Sequence, residues 1–364
     1  MIRVGLHAGQ LLQPVPGGIG RYVRSLLDRL PGAGTEVTAF AAGARPADLP
    51  AGTAWIDLGA PHGSLRYESW HRLHRPRVRV PVDVVHAPSL AVPPTDRPLV
   101  VTVHDVAFLR MPETTTRRGV VFHERGLERA RRSASVIIVP SAFTGRELVA
   151  EGFEPEQIEV VPLGVDPAEA RPDPEVDGEV SAMGIRTPYV LTVGTVEPRK
   201  DLPTIVRAVE RARLHRPELS LVVVGPRGWG EVRGLDRPFV RVLGDQPWPV
   251  VDALYRRADV FCLASRYEGF GLPALEAMAR GAPTVATTGS ATEEFVRGAG
   301  LCFTPGDVDT CSDAITRLLA DPDERDRLRS AGRARAAELT WQRSAEAHVP
   351  VYERATAGRR APRS

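Results

Sequence analysis

The apolar residues of this chain come in short runs separated by longer amphipathic stretches, and the rhythm occurs twice. "IRVGLHA", "TEVTAFA", "DVVHAP", "LVVTVHD", "SVIIVPS" and "IEVVPLGV" form the first series. They are rich in Val and Ile and read as strands. Between them lie helix-like segments. "GRYVRSLLDRL" puts Val23, Leu26, Leu27 and Leu30 on one face, the spacing of an amphipathic helix. An arginine-rich helix follows "LVVTVHD", and another surrounds "TGRELVAEG". Strands apolar on both faces and separated by helices imply a parallel sheet.

The pattern breaks at "DPAEARPDPEVDGEV", rich in Pro and acids and poor in large apolar residues, which reads as a linker. It then restarts: "YVLTVGT", a helix from about Leu202 to Leu214, "LSLVVVG", "VRVLG", the helix "PVVDALYRRA", "DVFCLAS", the helix "PALEAMARG" and "PTVAT". Helices dominate the end. The last, "WQRSAEAHVPVYERA", holds a proline expected to kink or divide it. The expected fold class is α/β, with two doubly wound domains. They fall at 1–170 and 186–340, joined by a linker at 171–185 and followed by a segment 341–364. Such sheets bind ligands beyond the carboxyl ends of their strands, and two facing domains would form a central cleft.

Composition changes this picture little. A chain of 364 residues suits two domains. The net charge of +2, mostly arginine against acids, gives no global argument for nucleic acid. Cys262, Cys302 and Cys311 show no metal-like pairing and fit reduced thiols of a cytoplasmic protein. The N-terminus has no signal-peptide layout, and no apolar stretch approaches the roughly 20 residues that span a bilayer. The tail "GRRAPRS" is expected to be disordered.

Four constellations fall at strand ends. In "PVPGGIGRY", Gly17, Gly18 and Gly20 allow close backbone approach, and the following helix offers free N–H groups to an anion. The plainer reading is a flexible helix start, and the two are evenly matched. In "TVHDVAF", His104 could bond a sugar hydroxyl or carry a proton. Its plainer reading, favoured for an isolated His-Asp pair, is a His on a local carbonyl with Asp105 making a turn. His86 has the same placement and a weaker claim. In "VGTVEPRKDL", Arg199 and Lys200 stand where a ligand's phosphates would lie; otherwise they are a solvated pair beside Asp201.

The fourth is "SRYEGFGLPALEAMARGAP". Pro273 suits the first turn of a helix and Gly281 its end. Gly269, Phe270, Gly271 and Leu272 then lead into a helix N-terminus that would welcome diphosphate oxygens. Glu276, in the expected first turn, and Glu268, just outside it, cannot hold phosphate but can grip hydroxyls. Alone, each is an ordinary acid of a helix start or a loop. Together they describe a nucleotide sugar.

At these residues the chain resembles the retaining glycosyltransferases of family 4, the group 1 transferases of the GT-B fold. "SRYEGFGLPALEAMARGAPTVAT" is similar to their E-x7-E element and "VGTVEPRKDL" to their phosphate-binding segment; "GGIGRY", "TVHDVAF", "VPSAFTGRELV", "VPLGVD" and "VVGPRGW" follow in order. The resemblance covers about Met1 to Glu353 and implies two Rossmann-like domains, with 1–170 binding the acceptor and 186–340 the nucleotide sugar. It implies that Glu276 binds the ribose and that Glu268 holds the transferred sugar. Gly269–Leu272, Arg199 and Lys200 would bind the diphosphate, with Gly17 and Gly18 approaching it from the other domain. His104 would meet the sugar near the reacting carbon. Val242 and Leu243, leading to Gly244, match a loop that meets the base. The segment 341–364 would cross back to the first domain. Asp201, where Asn or Gly is usual, and "TGSATEEFVRGAG" depart from the family pattern without removing a contact.

The resemblance alone implies retention of configuration. No DxD-type pair is placed for a metal, so Arg199, Lys200 and the helix N-terminus are expected to stabilise the departing diphosphate without one. No metal and no cofactor is expected. A hexose, with mannose leaned towards, would pass to a hydroxyl of a glycan, lipid-linked or small-molecule acceptor. The helix "TTTRRGVVFHERGLERARRSA" puts Arg118, Arg125, Arg129 and Arg132 on one face. That stripe suits peripheral contact with an anionic membrane or, more plainly, is a solvated face. "SLRYESWHRLHRPRVRV" could help form an acceptor pocket or is a surface helix. A nucleotide-sugar epimerase, a phosphorylase or a noncatalytic binder of the same fold stays open as an alternative. The first would need acid/base carboxylates around the sugar, and the second a cofactor lysine.

Overall fold

The computed structural model describes residues 1–61, 63–167 and 174–357. Thirteen strands are assigned among them, in two parallel sheets. The first contains β1 (Ile2–His7), β2 (Thr35–Ala41), β3 (Ala54–Asp57), β4 (Val84–Ala87), β5 (Leu99–Thr102), β6 (Val136–Val139) and β7 (Ile158–Val160), in the order β3-β2-β1-β4-β5-β6-β7. The second contains β8 (Tyr189–Val193), β9 (Ser220–Val224), β10 (Val240–Gly244), β11 (Val260–Leu263), β12 (Thr284–Thr287) and β13 (Leu301–Phe303), in the order β10-β9-β8-β11-β12-β13. Both orders reverse direction once, at β1/β4 and at β8/β11, as in doubly wound folds.

Central strands β4, β5, β6 and β11 are buried along their whole length, which is why their sequences are mostly apolar rather than alternating. The helix Gly17–Arg29 turns Val23, Leu26, Leu27 and Leu30 inward, each at most 2% exposed. Burial of each leucine stabilises the unit by about 2 kcal/mol.

The chain divides into two compact units. The first comprises Met1–Pro112, Thr116–Leu163 and the chain from Trp341 onward; the second comprises Glu113–Thr115 and Gly164–Thr340. The division therefore falls at Leu163, ahead of the linker read from composition. Part of that linker is helix: Pro174–Ala182 packs on the helix Trp248–Arg257, and Arg257 donates to Asp177 O at 3.1 Å. Val180, fully buried, supplies the apolar contact that composition underweighted. Residues 168–173 of the linker and the tail "GRRAPRS" lie outside the described residues.

The final helix is not divided. Trp341–Ala357 runs through Pro350 as one element and packs on the helix Gly17–Arg29 and on β1, β4, β5 and β6. Its buried Trp341, Ala345, Val351, Tyr352 and Ala355 hold it to the first sheet, and that packing outweighs the hydrogen bond lost at the proline.

Candidate active site

In the second unit the switch point between β8 and β11 gathers the charges. The two strands pair directly, Val190 with Val260 and Leu191 with Phe261, so the loops that leave their carboxyl ends meet. Arg266 N donates to Arg199 O at 2.9 Å, and Arg199 Nη1 donates to Tyr267 O at 2.8 Å. Those backbone links bring side chains nearly seventy positions apart into one cluster. Lys200 Nζ lies 2.6 Å from Glu268 Oε1 and Arg199 Nη1 3.3 Å from Glu268 Oε2. Arg199 Nη2 also sits 2.7 Å from Glu197 Oε1, an ion pair without hydrogen-bond alignment.

Burial opposes ionisation of Glu268, but the Lys200 and Arg199 charges outweigh it and hold the carboxyl at about 2. Cations and carboxylate, assigned separately to phosphate and sugar in the sequence, are thus one ion-paired group in the folded chain. Glu197 is a member that sequence reasoning missed. Its sequence signal was its place directly before the Pro-Arg-Lys turn; the fold buries it to 2% exposure. Lys200 carried a stronger unused signal, being the only lysine in a chain with 47 Lys and Arg.

The turn that aims these cations depends on Asp201. A short 3-10 turn, Pro198–Lys200, ends at Asp201 with φ +46°, and the helix Leu202–Ala212 starts there. Left-handed backbone favours Gly, Asn and Asp, which explains why Asp can stand where Asn or Gly is usual. Its carboxylate accepts from Thr204 Oγ1 at 2.9 Å.

The loop after β11 is shaped by one glycine. Gly271 has φ +94°, and a Cβ there would come within 2.2 Å of Thr292 Oγ1. It caps the helix Leu272–Ala279, with Pro273 in the first turn and Gly281 just past the end. Ala274 is the first residue to close a helical bond, to Gly271 O at 2.9 Å. The Leu272 amide therefore lies ahead of the helical ladder. Gly269, Phe270 and Gly271 lead into it. Glu276 is not in the first turn, as expected, but in the second. It is 4% exposed and accepts from Tyr255 Oη at 3.0 Å. Tyr255, from the helix Trp248–Arg257, was also missed; nothing in its local sequence marks it.

Val242 and Leu243 stand in β10, the edge strand of this sheet, rather than in a loop. Val242 is 48% exposed, and the strand ends at Gly244. Among the described residues no group of three or more His, Cys, Asp or Glu could hold a metal ion.

In the first unit, Gly17 and Gly18 open the helix Gly17–Arg29 and are exposed. Gly17 has φ +61°; a Cβ on Gly18 would meet nothing within 4 Å, so the protein's own packing does not demand a glycine there. His104 follows β5, and its Nε2 lies 2.9 Å from Pro88 O. A carbonyl only accepts, so Nε2 carries the hydrogen and Nδ1 is the acceptor of the neutral ring. Burial lowers its pKa and favours that neutral form. Asp105 accepts from Ala107 N at 2.9 Å, the turn its plainer reading anticipated. His86 is wholly buried.

The arginine stripe does not stand free. In the helix Arg117–Ser133, Arg125 pairs with Glu68 at 3.3 Å, and Arg129 donates to Val92 O at 3.2 Å. Arg132 pairs with Glu128. Two of the four arginines are therefore tied into the unit itself. No helix among the described residues is long and apolar enough to cross a membrane.

Two doubly wound sheets, with a paired-glutamate loop and an Arg-Lys turn at the switch point of the second, define the GT-B class of glycosyltransferase. Residues 184–335 match the family Glycosyl transferases group 1, and residues 16–169 match Glycosyltransferase Family 4. The chain is 29% identical over 286 residues to O-antigen chain mannosyltransferase B of Escherichia coli, covering 74% of each chain. It is 36% identical over 282 residues to the MMP alpha-(1->4)-mannosyltransferase of Mycolicibacterium hassiacum, covering 71% of this chain and 66% of that one. The fold also matches the crystal structure of Anabaena Alr3699/HepE in complex with UDP and glucose. There the TM-score is 0.73 at 19% identity, over 97% of this chain and 100% of that one. The protein belongs to the group 1 glycosyl transferases of family 4 and is a glycosyltransferase.

Proposed function

We propose that the protein moves a hexose from a nucleoside-diphosphate sugar to a hydroxyl of a glycan, lipid-linked or small-molecule acceptor, with retention of configuration and without a metal ion. The observation that carries this reading is the Lys200–Glu268–Arg199 group, with Lys200 and Glu268 buried, beside the Leu272 helix N-terminus. Lys200 has three donors and gives one to Glu268. The others, with the Leu272 amide, face the developing charge of the leaving diphosphate. The two cations keep Glu268 ionised so that it accepts hydroxyls of the transferred sugar. Glu276, oriented by Tyr255, accepts those of the ribose.

Gly18 gives a phosphate close access to backbone amides. His104 presents Nδ1 to a sugar hydroxyl near the reacting carbon. Mannose is favoured because two relatives are named mannosyltransferases; retention rests on the family resemblance.

Thermal shifts with UDP, GDP, ADP and dTDP test the donor half. One diphosphate is expected to raise Tm through selective binding to the folded state, and Glu276→Ala to abolish that rise. Equal or absent shifts with all four would overturn the donor assignment. Product analysis tests the reaction: a glycosylated acceptor plus free diphosphate supports transfer, whereas an isomerised donor supports an epimerase. NMR of the product's anomeric proton decides retention, and unchanged rates in EDTA decide metal independence.

A further inference from the structure

Five side chains of the first unit form a buried hydrogen-bonded chain outside the donor contacts described above. Tyr352 Oη lies 2.9 Å from His86 Nδ1, and His86 Nε2 lies 2.8 Å from Thr102 Oγ1. Thr102 Oγ1 is 2.9 Å from Tyr22 Oη, which is 2.6 Å from His348 Nε2. His348 Nδ1 ends the chain, 2.6 Å from the backbone oxygen of Ser344. All five side chains are at most 1% exposed.

The last link sets the direction of every other. A backbone carbonyl only accepts, so His348 Nδ1 carries a hydrogen. Burial holds His348 at about 4 and His86 well below its ordinary value, so both rings are neutral. His348 Nε2 is then an acceptor, and Tyr22 donates to it. The Tyr22 hydrogen being used, Tyr22 Oη accepts from Thr102. Thr102 in turn accepts from His86 Nε2–H, which leaves His86 Nδ1 to accept from Tyr352. Hydrogen bonding thus runs one way, from Tyr352 to Ser344.

This chain surrounds the supports of His104. Tyr22 meets the His104 ring edge-on, with centroids 5.0 Å apart at 87°. Thr102 stands two residues before His104 at the end of β5. His86 stands two residues before Pro88, whose carbonyl holds His104 Nε2. We propose that the chain is a positioning device for His104, with Tyr22 and, behind it, His348 of the C-terminal helix as positioning residues for sugar transfer. The inference rests on the sugar-contacting role given to His104 above. It makes the last helix part of the machinery of the first unit, although it arrives from the far end of the sequence.

The full-length protein with 15N-labelled histidine tests this in two readouts. In the wild type, His104 is expected to show the neutral Nε2–H tautomer. Tyr22→Phe removes one oxygen and keeps the ring; it should average the His104 nitrogen signals towards a tautomer mixture. It should also lower kcat for diphosphate release from GDP-mannose or UDP-glucose by about tenfold or more, with KM changed by less than about twofold. His348→Gln keeps an acceptor for Tyr22 and a donor for Ser344 and should retain both readouts near their wild-type values; His348→Leu should lose them. If Tyr22→Phe does not fold, Tyr352→Phe, which breaks only the first link, takes its place. Variants that lower Tm while leaving the His104 signals and kcat unchanged would reduce the chain to packing and overturn the proposal. If the wild type uses neither nucleotide sugar, those donors are wrong, and the His104 spectrum still decides the positioning role.

Discussion

The two units bury polar groups by opposite means. The first buries neutral ones, with the Arg66 guanidinium the exception. Eight of the nine histidines fall in its sequence, and His7, His71, His86, His104, His123 and His348 all have lowered pKa values, with desolvation the leading cause. The second buries charges, with Glu197, Lys200, Glu268 and Glu276 each at most 9% exposed. A neutral network holds direction, because each hydrogen has one place to go. An ion-paired cluster holds charge, which the diphosphate leaving group of the proposed transfer would require. The difference teaches that the two sheets, alike in topology, are specialised by the side chains at and beyond the ends of their strands.

The sharpest way to break the contrast is to remove the one ammonium. Lys200→Ala leaves Glu268 buried with only Arg199, so transfer should fall about 1000-fold and stability by about 3 kcal/mol. Lys200→Arg should rescue little, because a planar fork does not replace a compact three-donor group in a buried site. Rates of diphosphate release and urea midpoints check both, and an active Lys200→Arg enzyme would refute the special role of lysine.

Acid should loosen the units in sequence. A histidine with a depressed folded pKa loses its stabilising contribution as pH falls from its unfolded value through the folded one. For His7 and His348 that window runs from 6.5 to about 4, roughly 3 kcal/mol each. Glu268 is also depressed, from 4.5 to about 2, so its contribution is present above 4.5 and lost only below that. Hydrogen exchange between pH 6.5 and 4 should therefore rise in β1, β4 and β5 before it rises in β8 and β11. Simultaneous loss would contradict the assignment of neutral and charged interiors.

Two smaller effects refine the charged side. Tyr255→Phe removes the donor to Glu276 and should cost about 1 kcal/mol, while shrinking the nucleotide-induced rise in Tm. Asp201→Ala should cost about 1 kcal/mol, because its left-handed backbone disfavours a Cβ without a local hydrogen bond. Asp201→Asn should be close to neutral. Chemical denaturation of the pair separates backbone strain from charge.

Much of this organisation was legible in order along the chain. The Val-rich apolar runs named nearly every central strand, because strands buried on both faces leave few polar positions, His86 and Thr102 among them, to confuse the period. The Gly-Phe-Gly-Leu-Pro turn was legible because a helix start has strict local chemistry: Gly271 must be left-handed, and proline fits the first turn. Legibility failed where a residue's meaning lies in a distant partner. Tyr255 becomes interesting only once Glu276 is opposite it. Arg125 and Arg129 look like a free stripe until Glu68 and Val92 O come to meet them.

The sequence by itself determined the elements, the two doubly wound domains and the family, and it singled out the residues of the candidate site, since each rests on short-range spacing. Only the tertiary structure decided how those residues share their charges and hydrogens. The pairing of β8 with β11 joins Lys200 and Arg199 to Glu268, and the packing of Trp341–Ala357 on the first sheet brings His348 to Tyr22. Buried ion pairs and hydrogen-bond direction depend on three-dimensional proximity in a low-dielectric interior, and linear spacing carries no record of it.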